Sequence, residues 1–419
     1  MNLTERDRKH LWHPFTQMKG AEILPVVKGE GACLYLEDGT RVIDATSSWW
    51  TNTYGHTHPY IASKIAEQLY ELEHVIFAGF THKPAVEAAE KLIQVLPDGY
   101  AKVFFSDNGS TSVEVALKMA VQFRYNQGSS SEKIVVFEGS YHGDTVGAMS
   151  LSERDAFVAP FTRLLFDVVT IPTPTEENFP ELKSKFSSLC QSGDICAFVF
   201  EPLVQGVRGM KMYSPTHLNE LIKIAYENKV ITIADEVFTG FGRTGKNFAQ
   251  NYLSESADIV CLSKGLTAGF MALGATVCKQ PVFDAFYDDK LIKAFLHGHS
   301  YTGNPLACTA VSAGIDVLTD DNTQKQIAHI SERHQLFVAE LSLNDKVKEA
   351  RSLGTILAIE LKADDSGYFS EMGKEAYRFF MDRGVLMRPL GNVIFLLPPY
   401  CIKEQDLTTC YEAIRSFIS

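Results

Sequence analysis

The sequence has few cysteines, and they follow no pattern. Its 419 residues include eight cysteines, with no C-x-x-C pair and none of the regular spacings of a disulfide framework or a zinc site. A reducing cytosol is therefore the expected location. The first fifteen residues also lack the apolar run of about seven residues that a secretory signal requires. We accordingly expect a cytoplasmic protein that is not exported.

Positive charge is also scarce. Lysine and arginine number 39 against 51 aspartates and glutamates, which gives a formal net charge of −12 at pH 7. A negative charge of this size repels a phosphate backbone, so nucleic acid binding is disfavoured. The composition is 45% hydrophobic and 11% aromatic, which is typical of a compact folded protein. At about 150 residues per domain, the length predicts two or three domains.

Long hydrophobic runs are nearly absent, and only residues 259–278 need to be tested as a membrane span. This segment carries a single charge, Lys264, but it is interrupted by SKGLTAG. The interruption and the Gly, Thr and Ser content predict two short buried strands joined by a turn. We therefore expect no membrane association, and the lysine in this apolar segment requires another explanation.

The middle of the chain alternates β-branched or aromatic runs with helical patterns. This alternation is typical of βαβ units and predicts an α/β fold with a mostly parallel sheet covered on both faces. After residue 305 the pattern changes to long amphipathic helices and a hairpin with a Gly-Asn turn, which predicts a smaller α+β domain. We expect an N-terminal segment 1–51 that packs with the small domain, a large domain 52–305 and a small domain 306–419.

Polar clusters follow five of the predicted strands. In parallel sheets, ligands bind outside the carboxyl ends of the strands, so these clusters are expected to converge on one site. The clusters are Ser106–Ser110, Gly139–Asp144, Glu201, Asp235–Glu236 and Ser263–Lys264.

Lys264 comes directly after the apolar run IVCLS in a segment with no other charge. Burial of an ammonium group is costly unless the group is paired or neutralised, so a buried lysine has a lowered pKa and a nucleophilic amine. Such a lysine is suited to forming an imine. From this position alone, a lysine that buries its stem and keeps its charged end in water is an equally good interpretation.

Two further features stand at predicted strand ends. Asp235 and Glu236 follow the apolar run VITIA, and adjacent strand residues point to opposite faces, so at most one of them faces a given pocket. In SDNGSTSVEVALKMA a strand ends, Gly109 and Ser110 are expected to form a turn, and a helix is expected to begin near Ser112. Its free N–H groups and positive dipole end are suited to a phosphate. Each feature can also be explained as a helix cap without a ligand.

Together these three features match the three groups of pyridoxal phosphate. A lysine can form an imine with its aldehyde, an acid can pair with its pyridinium nitrogen, and a helix start can bind its phosphate. Tyr141, in GSYHGD at another strand end, could supply an aromatic face for the ring, although a buried core tyrosine is equally common.

Other motifs are weaker. GFGRTG at 240–245, followed by Lys246, matches the front of a P-loop, but Asn247 stands where a magnesium-binding hydroxyl is needed. The pairs His56/His58 and His297/His299 lack a neighbouring carboxylate or thiolate that would complete a metal site, so we interpret them as structural or substrate-lining. No G-x-S-x-G is present, so a hydrolase elbow is not supported.

The segment ADEVFTGFGRTG, followed by LSKG, resembles the class III, or ornithine-type, aminotransferases of the fold type I pyridoxal phosphate enzymes. The resemblance extends from about residue 10 to about residue 400. It implies a large domain around a mostly parallel, seven-stranded type of sheet and a smaller α+β domain.

The resemblance also implies a role for each residue that matches the family's motifs. Lys264 would form the imine and move the proton, Asp235 would pair with the pyridinium nitrogen, and Tyr141 and Val237 would flank the ring. Ser300 matches a position from which many relatives reach the phosphate of the partner subunit, so a homodimer with shared sites is implied. The implied catalytic residues are Lys264, Tyr141 and Asp235, and the implied cofactor-binding residues are Gly109, Ser110, Tyr141, Asp235, Val237, Lys264 and Ser300.

Several further segments resemble the branch of the family that transfers an amino group to 8-amino-7-oxononanoate in biotin biosynthesis. They include HLWHPFTQM, SSWWTNTYGH, HGHSYTGNPLAC and RPLGNVIFLLPPY. In this branch Trp49 and Trp50 would line the substrate pocket, and the Arg388 guanidinium would hold the substrate carboxylate through a bidentate pair. The implied substrate-binding residues are Phe15, Trp49, Trp50, Tyr141, Gly298 and Arg388, and no metal is implied.

The amino donor stays open. We expect S-adenosylmethionine, with lysine as the alternative, because Trp49 and Trp50 resemble adenosylmethionine users whereas Phe15 and HGHSYTGN resemble lysine users. Phe238 replaces a Gln of other class III enzymes, which argues against a 4-aminobutyrate-type activity. Two other hypotheses remain: an ω-aminotransferase acting on ornithine or a diamine, and a nucleotide-dependent protein built on GFGRTGK.

Overall fold

The computed structural model describes residues 1–363 and 370–419. Its N-terminal part consists of a helix, three short strands and a distorted helical turn. Neighbouring strands of this part pair antiparallel. The elements are α1 (Leu3–His10), β1 (Val26–Glu30), β2 (Cys33–Leu36), β3 (Arg41–Asp44) and α2 (Ser47–Trp50).

Strands and helices then alternate through the middle of the chain, as the sequence predicts. The helices and strands are α3 (Pro59–Leu69), α4 (Lys83–Val95), β4 (Tyr100–Ser106), α5 (Gly109–Asn126), β5 (Lys133–Phe137), α6 (Val146–Ser150), β6 (Val169–Ile171), α7 (Phe179–Gln191), β7 (Ile195–Phe200), β8 (Val204–Gln205), β9 (Lys211–Met212), α8 (Pro215–Glu227), β10 (Ile231–Asp235), β11 (Ile259–Leu262), β12 (Gly274–Lys279) and α9 (Gln280–Asp284). Short 3-10 helices span Ala159–Leu164, Ala249–Tyr252, Lys264–Thr267 and Leu291–Lys293.

Seven of these strands form the central sheet, in the order β4-β12-β11-β10-β7-β5-β6. Only β12 runs antiparallel to its neighbours, and the other pairs are parallel. Every residue of β7 and β10 is buried, because helices cover both faces of the sheet. The predicted mostly parallel α/β sheet is confirmed, and β11 and β12 are the two buried strands expected in residues 259–278.

The C-terminal part combines helices with a second small sheet, β13-β14-β16. The predicted hairpin around Gly391–Asn392 is only partly correct. A single bridge joins Leu390 and Val393, but β15 pairs with β3 while β16 pairs with β14, so the two arms enter different sheets. The elements are α10 (Pro305–Leu318), α11 (Asp321–Leu341), β13 (Val347–Leu353), β14 (Ile356–Leu361), α12 (Glu371–Met381), β15 (Val385–Leu386), β16 (Val393–Leu396) and α13 (Glu404–Phe417).

The pairing of β3 with β15 connects the two ends of the chain. Ile43 lies opposite Val385, and Asp44 lies opposite Leu386. This contact supports our proposal that residues 1–51 pack with the small domain. We also propose that the large domain spans residues 52–305 and the small domain residues 306–419. Among the described residues, no helix combines the length and the hydropathy needed to cross a bilayer.

His334 makes the stability of the C-terminal part sensitive to acid. Its buried ring donates from Nε2 to the Thr355 carbonyl (3.2 Å) and accepts at Nδ1 from the Tyr411 hydroxyl (2.7 Å), and burial lowers its pKa to about 3. Because protonation then favours the unfolded chain, this contribution is complete above pH 6.5 and falls by about 1.4 kcal/mol per pH unit as the pH drops from there towards 3.

We therefore expect His334→Gln to be less stable at neutral pH but to lose less stability than the wild type between pH 6.5 and 5. Urea unfolding at both pH values measures this difference. The exposed His329, which contacts Glu404, supplies the control His329→Gln. If the wild type and His334→Gln lose equal unfolding free energy between pH 6.5 and 5, His334 is not the source of the acid sensitivity.

Candidate active site

Lys264 lies at the carboxyl end of β11, where the chain leaves the sheet. Its backbone adopts a left-handed conformation, with φ of 45°, at the start of a 3-10 turn. The Nζ atom lies 4.6 Å from the centroid of the Trp50 ring. Burial lowers the pKa of Lys264 to about 8, although the charges of Asp235 and Glu201 oppose this shift. A lowered pKa leaves more of the amine unprotonated at neutral pH, which is the condition that a nucleophilic lysine requires.

Asp235 and Glu236 face opposite sides of the sheet, as predicted. Asp235 is 5% exposed and lines the same cavity as Lys264. Its carboxylate accepts a hydrogen bond from the backbone N–H of Val237 (3.1 Å). Glu236 instead accepts from the N–H groups of Ala249 (2.9 Å) and Gln250 (2.8 Å), so it caps a 3-10 helix. Burial raises the pKa of Glu236 to about 7. Of the two acids, only Asp235 lines the cavity.

Two further buried residues lie behind Asp235: His142, which no sequence pattern singles out, and Glu201, which the sequence predicts only as a polar residue at a strand end. His142 Nδ1 lies 2.7 Å from Asp235 Oδ2, while its Nε2 has no partner among the described residues. Burial alone would lower the pKa of His142, but Asp235 raises it above the ordinary value. Glu201 accepts from the N–H groups of Tyr141 (3.2 Å) and Gly206 (2.8 Å), and burial raises its pKa to about 7. Both residues stand in the predicted strand-end clusters, which was the available signal.

The N-terminus of α5 opens into the same cavity. The helix begins at Gly109 and not near Ser112, so the prediction that Gly109 and Ser110 form a turn was wrong. Asn108 caps the helix, since its side chain accepts from Thr111 N (2.9 Å) while the Thr111 hydroxyl accepts from Asn108 N (3.0 Å). The N–H groups of the first helical residues have no intrahelical partner and point out of the helix end. They are available to an anion.

Two glycines allow other residues to pack closely at this helix end. A Cβ atom at Gly109 would lie 2.7 Å from Val237 Cγ1, and one at Gly143 would lie 2.3 Å from Ser110 Oγ. Real Cβ contacts are essentially never that short, so both positions require glycine for the backbone to come this close. The Ser110 hydroxyl is fixed by Thr145, whose N–H it accepts at 3.0 Å.

Two cavities meet at Lys264. A cavity of about 720 Å³, here called the inner cavity, contains the helix end, Asp235 and Val237. A second cavity of about 560 Å³, here called the outer cavity, adjoins it. The outer cavity is lined by Phe15, Trp49 and Arg388, among others. The lining residues common to both cavities are Trp50, Tyr141, Gly143, Asp144, Val207 and Lys264.

Aromatic rings dominate the outer cavity. Phe15 and Trp49 have ring centroids 5.6 Å apart, and the Arg388 guanidinium carbon lies 4.9 Å from the Trp49 ring centroid. Trp50 is buried against Phe238, with ring centroids 4.7 Å apart. The cavity thus combines an apolar wall with a guanidinium group, which suits a long apolar molecule with a carboxylate.

Gly298 and Ser300 do not join these residues within one chain. Both are exposed and lie outside the two cavities, in the segment before α10. The GFGRTG loop is followed by a 3-10 helix, and its buried Arg243 donates to the carbonyls of Pro398 (2.9 Å) and Trp50 (3.3 Å). Lys246 donates to the Asn251 carbonyl.

The histidine pairs form local contacts. His56 bonds to Asp44 (2.8 Å), and His297 lies 3.0 Å from the Lys118 amine. Within residues 1–363 and 370–419, no group of three or more His, Cys, Asp or Glu side chains is placed to hold a metal ion.

Comparison with known proteins places this geometry in context. The profile of the family Aminotransferase class-III matches residues 16–418. An adenosylmethionine-8-amino-7-oxononanoate aminotransferase of Synechococcus elongatus is 44% identical over 418 residues, which cover 98% of each chain. A protein of the same name from Geobacter sulfurreducens is 36% identical and covers 99% of this chain and 97% of its own. The crystal structure of that enzyme from Methanocaldococcus jannaschii has a TM-score of 0.94 at 33% identity, with 99% and 98% coverage.

Proposed function

The chain belongs to the class III aminotransferases, which depend on pyridoxal 5'-phosphate, and we propose that it transfers an amino group to 8-amino-7-oxononanoate in biotin biosynthesis. The product of this step would be 7,8-diaminononanoate. The proposal is supported by relatives that carry the name of this activity and match nearly the whole chain. The structural observation that carries it is the aromatic cavity that joins Lys264 to Arg388.

The inner cavity fits pyridoxal 5'-phosphate. We propose that the N–H groups of Gly109 and Ser110 hold the phosphate, because both residues line the cavity at the start of α5, where N–H groups have no intrahelical partner. Val237 and Tyr141 line the same cavity and would flank the ring, and Asp235 would face the ring nitrogen. When bound, the cofactor supplies an electron sink for the carbanion next to the transferred nitrogen.

The residues around the cavity would perform the proton transfers. Lys264 Nζ, with a pKa lowered to about 8, can accept a proton from the substrate carbon at near-neutral pH and return it to a neighbouring atom. Asp235, whose Oδ2 lies 2.7 Å from His142 Nδ1, would pair with a protonated ring nitrogen. Tyr141, whose hydroxyl donates to Asp144 (3.1 Å), would fix the ring orientation.

In the outer cavity, Arg388 would bind the carboxylate of the keto acid. The apolar chain of the substrate would then lie along Trp49, Trp50 and Phe15 towards Lys264. Because two parallel N–H···O bonds fix the direction of a carboxylate, Arg388 would set the distance at which the ketone meets the Lys264 amine.

We propose a cytoplasmic homodimer with shared active sites. Gly298 and Ser300 are exposed in the single chain, and their segment is flanked by exposed apolar side chains that a partner subunit would cover. In such a dimer Gly298 would reach the substrate and Ser300 the phosphate of the partner subunit. The exposed apolar residues of the flanking segment are Tyr287, Leu291, Ile292, Leu296 and Tyr301.

We further propose S-adenosylmethionine as the amino donor. The test mixes the purified, cofactor-loaded enzyme with S-adenosylmethionine, lysine or ornithine and follows the loss of the cofactor's visible absorbance. We expect S-adenosylmethionine to cause the loss, and 8-amino-7-oxononanoate to restore the absorbance. Loss with lysine alone would change the donor but retain the acceptor. Turnover of ornithine without any of 8-amino-7-oxononanoate would overturn the proposed function.

A further inference from the structure

The strands β8 and β9 form a two-stranded hairpin whose tip, residues 206–210, reaches the active site. Val204 pairs with Met212, and Gln205 pairs with Lys211. A ladder of two residues per strand is only marginally stable on its own. The tip is also strained at Met210, a non-glycine residue with a positive φ of 55°. Contacts from elsewhere must therefore hold it.

The tip forms part of the wall of both cavities. Val207 lines both of them, and Arg208 lines the outer one. Gly206 lies so close to the rings of Phe238 and Trp50 that a Cβ on it would be 3.2 and 3.3 Å from them. A shift of the tip would therefore move the surface on which the Trp50 ring rests and change the shape of the outer cavity.

Arg351, in β13 of the C-terminal part, forms hydrogen bonds with the backbone of this tip. Its Nε donates to the Met210 carbonyl (3.0 Å), and one terminal nitrogen donates to the Gly209 carbonyl. The other terminal nitrogen forms ion pairs with Glu349 (2.9 Å) and Glu360 (3.5 Å). The side chain is only 11% exposed. A planar guanidinium can bond two adjacent carbonyls and a carboxylate at once, which an ammonium group cannot do with the same geometry.

We propose that Arg351 is a positioning residue that fixes the 206–210 tip and thereby sets the shape of the substrate cavity. It touches neither cavity and acts through Gly209 and Met210. Arg388 also belongs to the C-terminal part. The C-terminal part would therefore position both the cavity wall at Val207, through Arg351, and the proposed carboxylate-binding group, Arg388. The expected change in KM for 8-amino-7-oxononanoate rests on the proposed function, whereas the hydrogen bonds between Arg351 and the tip do not.

The first test is hydrogen exchange of the cofactor-loaded enzyme, measured by mass spectrometry without substrate. In Arg351→Gln we expect the amides of residues 204–213 to exchange about tenfold faster than in the wild type. The tip loses the bonds to the Gly209 and Met210 carbonyls, although the contacts of Gly206 with Glu201 and of Arg208 with Glu138 remain. Lys348 provides the matched control: it lies on the same strand and pairs with Glu360 (2.7 Å), but does not touch the tip. Lys348→Gln is expected to leave exchange in residues 204–213 unchanged.

The second test separates positioning from stability. In Arg351→Gln the KM for 8-amino-7-oxononanoate is expected to rise about tenfold while kcat changes less than about twofold, because the cavity changes shape but Lys264 does not move. Arg351→Lys retains the charge and is expected to restore thermal stability without restoring KM. The bound cofactor, measured by visible absorbance, is expected to equal that of the wild type.

Unchanged exchange in residues 204–213 of Arg351→Gln would overturn the proposal, as would a Lys348→Gln variant with the same effects. A wild-type KM in Arg351→Lys would show that charge alone matters and would also overturn it. Wild-type enzyme without turnover of 8-amino-7-oxononanoate would instead contradict the proposed function, and the exchange measurement would still decide whether Arg351 holds the tip.

Discussion

Lys264→Ala is expected to lower kcat for amino-group transfer by at least about 10⁴-fold, because the variant lacks both the nucleophilic amine and the base that moves the proton. The protein is expected to fold, since the change shortens a side chain beside a cavity and leaves its backbone in place. Single-turnover kinetics with the amino donor measure the effect. Added methylamine is expected to restore part of the rate by supplying an external base.

Lys246→Ala is the matched control for this experiment. Lys246 belongs to the GFGRTGK loop and donates to the Asn251 carbonyl outside both cavities, so wild-type activity is expected. A Lys264→Ala enzyme that still transfers amino groups at more than a few per cent of the normal rate would contradict the role of Lys264. ATP-dependent stabilisation that disappears in Lys246→Ala would support the nucleotide alternative.

Asp235→Asn is expected to lower kcat by about 10³-fold with little effect on the KM of the keto acid. Asparagine has nearly the same shape, but it removes the negative charge that would keep the ring nitrogen protonated, and such preorganised charges contribute effects of this size. It also leaves His142 Nδ1 without the carboxylate that it contacts at 2.7 Å. Steady-state kinetics, together with the visible spectrum of the bound cofactor, measure both effects.

The neighbouring acid offers a control in the same dipeptide. Glu236 has a pKa raised to about 7 and faces the opposite side of the sheet, where its hydrogen bonds are to Thr239 and to backbone N–H groups. Glu236→Gln is expected to lower stability, because its amide N–H₂ group must face a backbone N–H, but to keep most of the activity per folded molecule, because the residue lines neither cavity. A loss in Glu236→Gln as large as in Asp235→Asn would show that the effect comes from disturbance of the strand end rather than from a charge at the ring.

The inner cavity could be predicted from the sequence because local patterns determine it. An apolar strand followed by a polar residue places Asp235 and Lys264 at the same edge of a parallel sheet, whatever the rest of the chain does. The sequence predicts the start of α5 near Ser112, whereas the helix begins at Gly109, because the Asn108 cap outweighs the turn propensity of Gly109 and Ser110. The error did not change the chemistry, since the helix end still faces the cavity.

The outer cavity depends on contacts between distant segments, which single-sequence patterns do not reveal. Phe15 and Arg388 were placed by family resemblance alone, and the structure brings both to the Trp49 ring. The hydrogen bonds of Arg351 with Gly209 and Met210 cannot be predicted from the sequence. An arginine in a strand of alternating charges is typical of a face exposed to solvent. His142 lies within the longer cluster Gly139–Asp144 and Glu201 stands alone at a strand end, but nothing in a sequence tells which polar residue at a strand end will be buried.

The pairing of β3 with β15 sets an order of events during synthesis. The ribosome synthesises β3 (Arg41–Asp44) early, but β15, the strand that pairs with it in parallel, is made only when Val385 and Leu386 are added. The opening segment must therefore wait, partly unpaired, until almost the whole polypeptide has been made, and such distant pairings are slow to form. Trp49 and Trp50 follow β3 directly, so the part of the substrate cavity that they line is completed only late in synthesis.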